Sequence, residues 1–417
     1  MAQGTPVTAY ERGRPLHAAA SLLRVAINAQ LVSFGQSYRN AGVSRYTYTL
    51  LDGLGKLGGP FIYTAFVNDR EASAAAASPL AHAETLRLVS GGWPTGNPAQ
   101  RILWEQLALP GALRRVGADV FHSPVNVLPE RLPCASVVTI HDLAFVRYPQ
   151  YFRPTRRIYQ QQFTRRSVRA ATLIVAVSQS TKRDLVEAMQ APAERIRVIY
   201  PSIDGDFQPT ADPATLAEFR ARHDLPDRYL LFLGTLEPRK NLETLVHAYA
   251  RLRSLLPDAP QLVLAGAKGW FYESLFARVR TTGMERYVTF AGYVSREEQP
   301  LWYAAATMFI YPSLYEGFGL PIVEALACGV PTLTSNVSSM PEAAGTVAIQ
   351  VDPHDADGLA YAMRDALLDA TLKARTARDG LAWARQFSAE RMAQAYQDVY
   401  REAVTADSGS RGKRRVK

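Results

Sequence analysis

Short runs of β-branched and aliphatic residues alternate with helical stretches along most of the chain. This alternation predicts wound parallel sheets that are covered by helices on both faces. The runs fall into two sets, and each set corresponds to one doubly wound α/β domain. The predicted strands of the first set are residues 22–28, 61–67, 86–90, 120–123, 136–142, 172–178 and 196–201, and those of the second set are residues 229–235, 261–266, 288–293, 308–313, 331–336 and 347–352.

The length of 417 residues and the hydrophobic content of 47% also favour two domains over one. Residues 201–226 contain four prolines, so we interpret this segment as a linker. Ligands of such sheets bind outside the carboxyl ends of the strands, and two facing sheets therefore predict a cleft between the domains. Apolar residues at helical spacing over 388–403 predict a last helix that packs on one of the domains. The expected divisions are a disordered leader at 1–21, domains at 22–205 and 206–385, the last helix at 386–404 and a basic, disordered tail at 405–417.

The expected cellular compartment is the cytoplasm. No apolar run reaches the ~18 residues that a membrane span needs, and residues 1–21 lack the apolar segment of a secretory signal. The cysteines, Cys134 and Cys328, form neither a disulfide framework nor a metal-ligand cluster. A reducing environment fits this pattern best.

Charge is distributed unevenly within a formal net charge of +9. Residues 1–200 carry 23 basic and 12 acidic side chains, whereas residues 201–410 carry 19 basic and 26 acidic ones. A basic first half suggests that this half faces something anionic, either membrane lipid or a phosphorylated acceptor.

One basic segment, residues 148–169, could lie on the inner face of the membrane. Its arginines are interleaved with aromatic residues, a composition that fits contact with anionic lipid but also fits a solvated helix with its aromatics in the core. We favour peripheral membrane contact through Arg153, Arg156, Arg157, Arg165, Arg166 and Arg169.

The run from 311 to 331 places Glu316 and Glu324 around a glycine-rich turn that opens a helix. Pro321 suits the first turn of a helix and Gly329 suits its end, so we predict a helix over 320–328. The unpaired N–H groups at its start favour an anion, and they could hold a diphosphate without a metal. These N–H groups belong to Gly317, Phe318, Gly319 and Leu320.

Two adjacent cations, Arg239 and Lys240, follow the first strand of the second domain in the segment 234–241, GTLEPRKN. At the carboxyl end of a strand, the planar fork of an arginine and the point charge of a lysine could together bind a diphosphate. Such charges matter most when a leaving group gains charge in the transition state.

Two segments of the first domain also carry candidate residues. Gly42 precedes an amphipathic helix, where a glycine would let the backbone approach a phosphate or sugar. His141 and Asp142 end a predicted strand, and this pair either makes a loop contact or orients a sugar hydroxyl and an acceptor.

No metal site is predicted. The pairs at 204 and 206 and at 355 and 357 resemble paired-aspartate sites, but the first falls in the linker and the second in a polar turn. The phosphate-loop pattern GxxxxGK[ST] does not occur, which argues against an ATPase.

The segments GVSRY, HDL, AVSQST, GTLEPRKNL, GYVS, PSLYEGFGLPIVEALACGVP and SSMPE occur in this order. Together they resemble the retaining glycosyltransferases of the GT4 group, of the type that transfers mannose from a nucleotide-sugar. The resemblance spans roughly residues 24–400, and its motifs are more specific in the second half. It implies the GT-B fold, in which two Rossmann-like domains face each other across a cleft. The second domain would hold most of the donor, and the last helix would cross back to the first.

The resemblance also implies roles for the motif residues. Arg239 and Lys240 would bind the donor diphosphate. Glu316 would hold hydroxyls of the transferred sugar, Glu324 would hold those of the ribose, and His141 would contact the sugar near its anomeric carbon. The donor-binding set is completed by Gly42 at the phosphate, the backbone of Tyr293 and Val294 at the base, the amides from Gly317 to Leu320, and Asp142 and Gly234.

The resemblance further implies that no divalent metal is needed, and it favours GDP-mannose as donor, with UDP-sugars next. We expect the acceptor hydroxyl to attack on the face that the diphosphate leaves, so that retention needs no protein nucleophile. The acceptor would be a glycan or lipid-linked hydroxyl in cell-surface polysaccharide or glycolipid assembly. A phosphorylase or a nucleotide-sugar epimerase of the same fold stays an alternative. A nucleic-acid-binding protein is a third reading, but the chain lacks RRM, KH and helix-turn-helix signatures, so no nucleic-acid partner is expected.

Overall fold

The first half of the chain forms a seven-stranded sheet from β1 (Leu23–Ala29), β2 (Phe61–Val67), β3 (Leu86–Ser90), β4 (Val120–Ser123), β5 (Ala135–Ile140), β6 (Leu173–Ala176) and β7 (Ile196–Val198). The computed structural model describes residues 22–34, 42–93, 95, 97–210, 212–269 and 273–415, so the predicted leader at 1–21 lies outside the described residues. The strands are parallel and run in the order β3-β2-β1-β4-β5-β6-β7. The order reverses between β1 and β4, and ligands of such sheets bind beyond the strand ends at this switch point.

The second half forms a six-stranded sheet from β8 (Tyr229–Leu233), β9 (Gln261–Ala265), β10 (Val288–Gly292), β11 (Met308–Tyr311), β12 (Thr332–Ser335) and β13 (Ile349–Val351). These strands are also parallel and run in the order β10-β9-β8-β11-β12-β13. Here the switch point lies between β8 and β11, where Leu230 pairs with Met308. The loops that follow these two strands contain Arg239, Lys240 and Glu316, so the topology alone brings the predicted site residues together.

Every predicted strand segment overlaps an observed strand, and the prediction of two doubly wound α/β domains is confirmed. Among the described residues, no helix combines the length and the apolar character that crossing a bilayer requires. The α-helices are α1 (Val43–Leu57), α2 (Ala72–Ala76), α3 (Pro98–Leu107), α4 (Leu109–Val116), α5 (Ala144–Arg147), α6 (Pro154–Ala170), α7 (Gln179–Met189), α8 (Pro213–Arg222), α9 (Leu242–Leu255), α10 (Glu273–Thr281), α11 (Gln299–Ala304), α12 (Leu320–Ala327), α13 (Met340–Ala344), α14 (Ala356–Leu368), α15 (Leu372–Ala384) and α16 (Ala389–Arg415).

The segment 201–226 is not only a linker, because it contains α8. The carboxylate of Asp212 accepts hydrogen bonds from the first-turn amides, and Pro213 occupies the first turn. Phe219 is buried, with its ring edge against Trp302 at 5.6 Å between ring centroids. Pro213, one of the four prolines on which the linker interpretation rested, therefore belongs to a helix start.

The last helix, α16, crosses back to the first domain, as the resemblance implied. It packs closely on α1, where a Cβ added at Gly53 would lie 2.7 Å from the carbonyl oxygen of Ala389. A buried hydrogen-bond network fixes its position on the sheet. The Tyr400 hydroxyl lies 2.8 Å from His122 Nδ1, and the Tyr396 hydroxyl lies 2.7 Å from the Thr139 hydroxyl.

The predicted disordered tail at 405–417 is wrong as far as residue 415, because α16 continues to Arg415. A helix that is already nucleated and packed adds further residues without a new nucleation cost. The hydroxyls of Thr405 and Ser408 donate to carbonyl oxygens one turn earlier, which accommodates these residues within the helix.

Candidate active site

The loops after β8 and β11 are joined by a buried ion-pair cluster. Lys240 Nζ lies 2.6 Å from Glu316 Oε1, and Arg239 Nη1 lies 3.2 Å from Glu316 Oε2. Tyr311 shares this cluster, because its hydroxyl accepts from Lys240 at 2.5 Å and donates to Glu316 at 3.1 Å. The three residues predicted to bind the donor phosphates and sugar therefore lie in one group.

Glu237 also belongs to this cluster, a role that the sequence analysis missed. Its Oε1 accepts from Arg239 Nη2 at 2.7 Å and from Nε at 3.1 Å. The cluster therefore holds two cations and two carboxylates. The sequence proximity of Glu237 and Arg239 could have indicated this ion pair, since Glu237 lies two residues before Arg239 in the same loop. An anionic ligand would have to share the cations with these carboxylates.

Glu316, Lys240 and Arg239 carry their charges at neutral pH. Burial alone would raise the pKa of Glu316, but Arg239 and Lys240 outweigh burial and lower this pKa to about 2. Burial likewise acts to lower the pKa of Lys240, but Glu316, Tyr311 and Glu237 together outweigh burial and raise that pKa. Glu316 is therefore a permanent hydrogen-bond acceptor for a hydroxyl-bearing ligand.

Helix α12 begins at Leu320, as predicted, and Gly319 before it has a left-handed backbone with φ 106°. No side chain caps this helix. Pro321 has no N–H, and the N–H of Ile322 donates to the carbonyl oxygen of Gly319 at 3.0 Å. The N–H groups that could bind an anion are therefore those of the preceding turn and of Leu320. Gly317 meets the opposite domain, because a Cβ at this position would lie 1.9 Å from the carbonyl oxygen of His141. A side chain at Gly317 is thus incompatible with this approach of the two domains.

Two serines hold the glycine-rich loop in place, which gives a role to the SSMPE segment. The hydroxyl of Ser338 donates to the carbonyl oxygen of Glu316 at 2.9 Å. The hydroxyl of Ser339 lies 2.9 Å from the same oxygen and 3.0 Å from the carbonyl oxygen of Phe318. This role of the two serines was not predicted from the sequence. Its position after β12, the strand beside β11, explains why it reaches the same edge of the sheet.

Glu324 lies in the second turn of α12 and is held by residues that the sequence analysis did not assign. Its Oε1 accepts from Arg296 Nη1 at 2.8 Å, and its Oε2 accepts from the hydroxyl of Tyr303 at 3.0 Å. Arg296 follows the predicted base-binding segment in the loop after β10, where Tyr293 is exposed and Val294 is buried. The position of Arg296 directly after the GYVS segment could have indicated from the sequence that it belongs to the site.

Gly234 begins the loop that carries Arg239 and Lys240. Its N–H donates to the carbonyl oxygen of Ala265 at 2.9 Å, and its φ is 155°. A Cβ at Gly266 would lie 1.9 Å from the carbonyl oxygen of Gly234. The two loops therefore pass each other with no space for a side chain, which fixes the start of the cation-bearing loop.

In the first domain, His141 is held in one tautomer. Its Nε2 lies 2.7 Å from the carbonyl oxygen of Pro124, which can only accept, so Nε2 carries the proton and Nδ1 is an acceptor. Burial lowers the pKa of His141, so the ring is neutral. Asp142 accepts from the N–H of Ala144 at 2.9 Å, which is a local loop contact. Gly42 precedes α1 with φ 58°, and a Cβ there would meet open space.

The candidate residues of the two domains meet across the cleft. The hydroxyl of Tyr315 donates to Asp184 at 2.6 Å and accepts from the N–H of Leu143 at 3.0 Å. The carboxylate of Glu342 accepts from the amides of residues 179 and 180 at 2.7 and 2.8 Å. The start of α7 therefore docks onto α13, which carries Glu342, and the HDL segment docks onto the loop that carries Tyr315 and Glu316.

The two aspartate pairs have other roles in the structure. Asp204 forms ion pairs with Arg45 and Arg296, and Asp355 accepts from the N–H of Gly358 at the start of α14. Within the described ranges, no group of three or more histidine, cysteine, aspartate or glutamate side chains is arranged to hold a metal ion.

Two Rossmann-like domains with a site at their facing switch points define a glycosyltransferase of the GT-B type, and sequence comparisons agree. Residues 40–207 match the profile described as Glycosyltransferase Family 4, and residues 216–383 match Glycosyl transferases group 1. The chain is 36% identical over 280 residues to O-antigen chain mannosyltransferase B of Escherichia coli, covering 67% of this chain and 73% of that one. The chain belongs to glycosyltransferase family 4.

A second relative is the serotype-specific mannosyltransferase WbdA of Escherichia coli, which is 29% identical over 270 residues. That match covers 63% of this chain but only 33% of the longer relative. Among solved structures, sucrose-phosphate synthase from Thermosynechococcus elongatus superposes with a TM-score of 0.72 at 22% identity, covering 92% of this chain and all of that one. WaaG, a glycosyltransferase involved in lipopolysaccharide biosynthesis, gives 0.67 at 18% identity, covering 90% and 99% of the two chains. These structural likenesses show the fold.

Proposed function

We propose that the protein transfers a hexose, with mannose favoured, from a nucleoside-diphosphate sugar to a hydroxyl of a glycan or lipid-linked acceptor. GDP-mannose is the favoured donor, and the product belongs to a cell-surface polysaccharide or glycolipid. The names of the two mannosyltransferase relatives support this choice of sugar. The observation that carries the proposal is the contact of Glu316 with Arg239 and Lys240 beside the uncapped start of α12.

In this proposal, the diphosphate binds between the two cations and the amides from Gly317 to Leu320 at the start of α12. The ionised Glu316 accepts hydrogen bonds from sugar hydroxyls, and Glu324 accepts those of the ribose. Gly42 leaves room for a phosphate on the side of the first domain, and Tyr293 and Val294 flank the base. His141 contacts the sugar through Nδ1. Asp142 and Gly234 shape the loops that carry these groups.

The reaction proceeds on one face of the sugar. The acceptor oxygen forms a bond to the anomeric carbon while the bond from that carbon to the diphosphate oxygen breaks. The departing oxygen takes the proton of the acceptor hydroxyl, and Arg239 and Lys240 stabilise the charge that develops on the diphosphate. No protein nucleophile and no divalent metal take part. A covalent sugar trapped on Glu316 or Asp142 would contradict this mechanism.

The experiment measures nucleoside diphosphate released from GDP-mannose and from UDP-sugars, with and without glycan acceptors. The proposal requires that release of nucleoside diphosphate depends on an acceptor. It also requires that the anomeric configuration of the sugar in the product is the same as in the donor, which NMR measures. Release with phosphate alone would instead indicate a phosphorylase, and conversion of the donor sugar without an acceptor would indicate an epimerase. A thermal-shift screen identifies the base first, because a bound donor stabilises the folded chain.

A peripheral position on the inner face of the membrane is the second part of the proposal. Helix α6 presents exposed arginines, and exposed apolar side chains lie on α6 and α3. Such a surface fits a layer of anionic lipid that presents a lipid-linked acceptor. The exposed residues are Arg153, Arg156, Arg165, Arg166 and Arg169 together with Ile158, Leu103 and Leu107, whereas Arg157 is half-buried.

A further inference from the structure

Asp204 lies between the two sheets and binds an arginine from each domain. Its Oδ2 lies 2.5 Å from Nη2 of Arg45, which belongs to α1 in the first domain. The same oxygen lies 2.7 Å from Nη2 of Arg296, which belongs to the loop after β10 in the second domain. The carboxylate side chain is only 9% exposed, so both ion pairs are largely shielded from water.

The ion pairs continue into the donor side of the cleft. Arg296 donates to Glu324 at 2.8 Å from Nη1, and its guanidinium lies 4.3 Å from the ring centroid of Phe207. Arg296 is therefore held by two carboxylates and one aromatic face. The charges of Arg45, Asp204, Arg296 and Glu324 alternate in sign, so the four side chains together carry no net charge.

Both ends of this series belong to elements that begin at or beside residues of the proposed donor site. Arg45 lies three positions after Gly42, in the first turn of α1. Glu324 lies on α12, the helix whose start receives the diphosphate in the proposed function. Asp204 and Arg296 carry opposite charges and come from different domains, so a rotation of one domain against the other would change the distance between them.

We propose that Asp204 is a positioning residue for the donor: through Arg296 it orients Glu324 for the ribose, and through Arg45 it couples donor binding to closure of the domains. This inference rests on the proposed function, in which Glu324 holds the ribose hydroxyls. Coupling of this kind means that a group remote from the ligand changes donor affinity without contacting the donor.

The test compares Asp204→Asn with Asp206→Asn. Asparagine keeps the shape of aspartate and removes its charge, and Asp206 is an exposed aspartate two residues away. Calorimetry with GDP and with UDP gives the dissociation constants, and steady-state kinetics give KM separately for the donor and the acceptor. Small-angle scattering with and without nucleotide gives the change in radius of gyration.

For Asp204→Asn, the expected result is a rise of about tenfold in the nucleotide dissociation constant and in the donor KM, with an unchanged acceptor KM. Nucleotide should also compact this variant less than the wild type, while Asp206→Asn should match the wild type throughout. Equal nucleotide affinity in the two variants, or a parallel loss for donor and acceptor, overturns the inference and leaves the proposed function standing. Wild-type protein that binds no nucleotide overturns both.

A second variant keeps the test valid if Asp204→Asn does not fold. Arg45→Lys retains the positive charge on α1 but lacks the fork that contacts Asp204 with two nitrogens. It should show the same selective rise in donor KM, with a smaller magnitude. A variant that folds with an unaltered donor KM and unaltered compaction contradicts the coupling.

Discussion

The backbone of Gly317 lies directly against the carbonyl oxygen of His141, and a Cβ at Gly317 would come within 1.9 Å of that oxygen. The two residues belong to different domains, so this contact is where the HDL segment meets the glycine-rich loop. We predict that Gly317→Ala forces the domains apart and lowers transferase activity by about 100-fold, because a displacement of ~1 Å is enough for such a loss. Activity with a fixed donor and acceptor is the measurement.

The matched control for this change is Gly205→Ala. Gly205 is exposed, and a Cβ there would meet open space, so activity and melting temperature should both stay at the wild-type level. If Gly317→Ala retains full activity, then the close approach of the two domains is not needed for transfer.

The ionised state of Glu316 predicts a pH dependence of stability. Its pKa is lowered to about 2 in the folded chain from an ordinary value of 4.5, so the folded state favours the charged form. The resulting stabilisation is present above pH ~4.5 and is lost as the pH falls towards 2, in total roughly 3 kcal/mol. Urea unfolding of the wild type between pH 7 and pH 3 measures this loss.

Glu316→Gln removes this titration and leaves Lys240 and Arg239 without their shared carboxylate. We expect it to lower stability at pH 7 by about 3 kcal/mol, because an uncompensated buried charge is costly. The difference from the wild type should shrink as the pH falls below 4.5. A constant difference between pH 7 and pH 3 would show that Glu316 is not the titrating group.

The sequence predicted the architecture and the central loops because these depend on local signals. Apolar runs located the strands, and Gly319 with Pro321 located the start of α12. Once the strand order reverses between β8 and β11, the loops that carry Lys240 and Glu316 must meet, so this part of the site follows from topology.

The parts that the sequence did not predict depend on contacts between distant segments. Asp204 and Arg296 are separated by 92 residues, and no local pattern marks them as partners. Ser338 and Ser339 support the glycine-rich loop only because β12 lies next to β11. The segment that contains α8 was misread for a different reason, since proline occurs both in turns and in the first turn of a helix, where Pro213 lies.

The hydroxyl of Tyr396 lies within the buried network that holds α16 on the first domain. We predict that Tyr396→Phe lowers stability by about 1–3 kcal/mol, because it removes a buried hydrogen-bond partner of both the Tyr46 and the Thr139 hydroxyls, of which Thr139 keeps only His122 Nε2. The donor KM should not change. Chemical unfolding and kinetics measure the two effects, and Tyr361→Phe on the surface is the control. Equal stability of the two variants would show that the network does not stabilise the helix.

The membrane proposal predicts that the charge of α6 determines lipid binding. Replacing Arg156, Arg165 and Arg169 by glutamine should weaken binding to vesicles that contain anionic lipid by about 100-fold, since each basic residue near such a surface contributes ~1 kcal/mol. Co-sedimentation at low salt is the measurement, and transfer to a soluble acceptor should be unaffected.

The control for this change removes the same charge from the second domain. Glutamine at the exposed positions Arg228, Arg280 and Arg375 should leave vesicle binding intact. A specific role for α6 would be refuted if vesicle binding of the wild type did not depend on the content of anionic lipid, or if both triple variants weakened binding equally.

Removal of divalent metal ions tests which groups stabilise the negative charge that develops on the leaving diphosphate. In the proposed reaction, the diphosphate is met by Arg239, Lys240 and the amides from Gly317 to Leu320, so the protein itself supplies the positive charge. Activity measured after treatment with EDTA should equal that in added Mg²⁺ within about twofold. By contrast, Lys240→Ala should lower kcat by about 100- to 1,000-fold in either condition, which is the range for loss of one group that stabilises developing charge. Activity that requires Mg²⁺, or a Lys240→Ala variant restored by it, would assign this role to a metal ion instead of to the two cations.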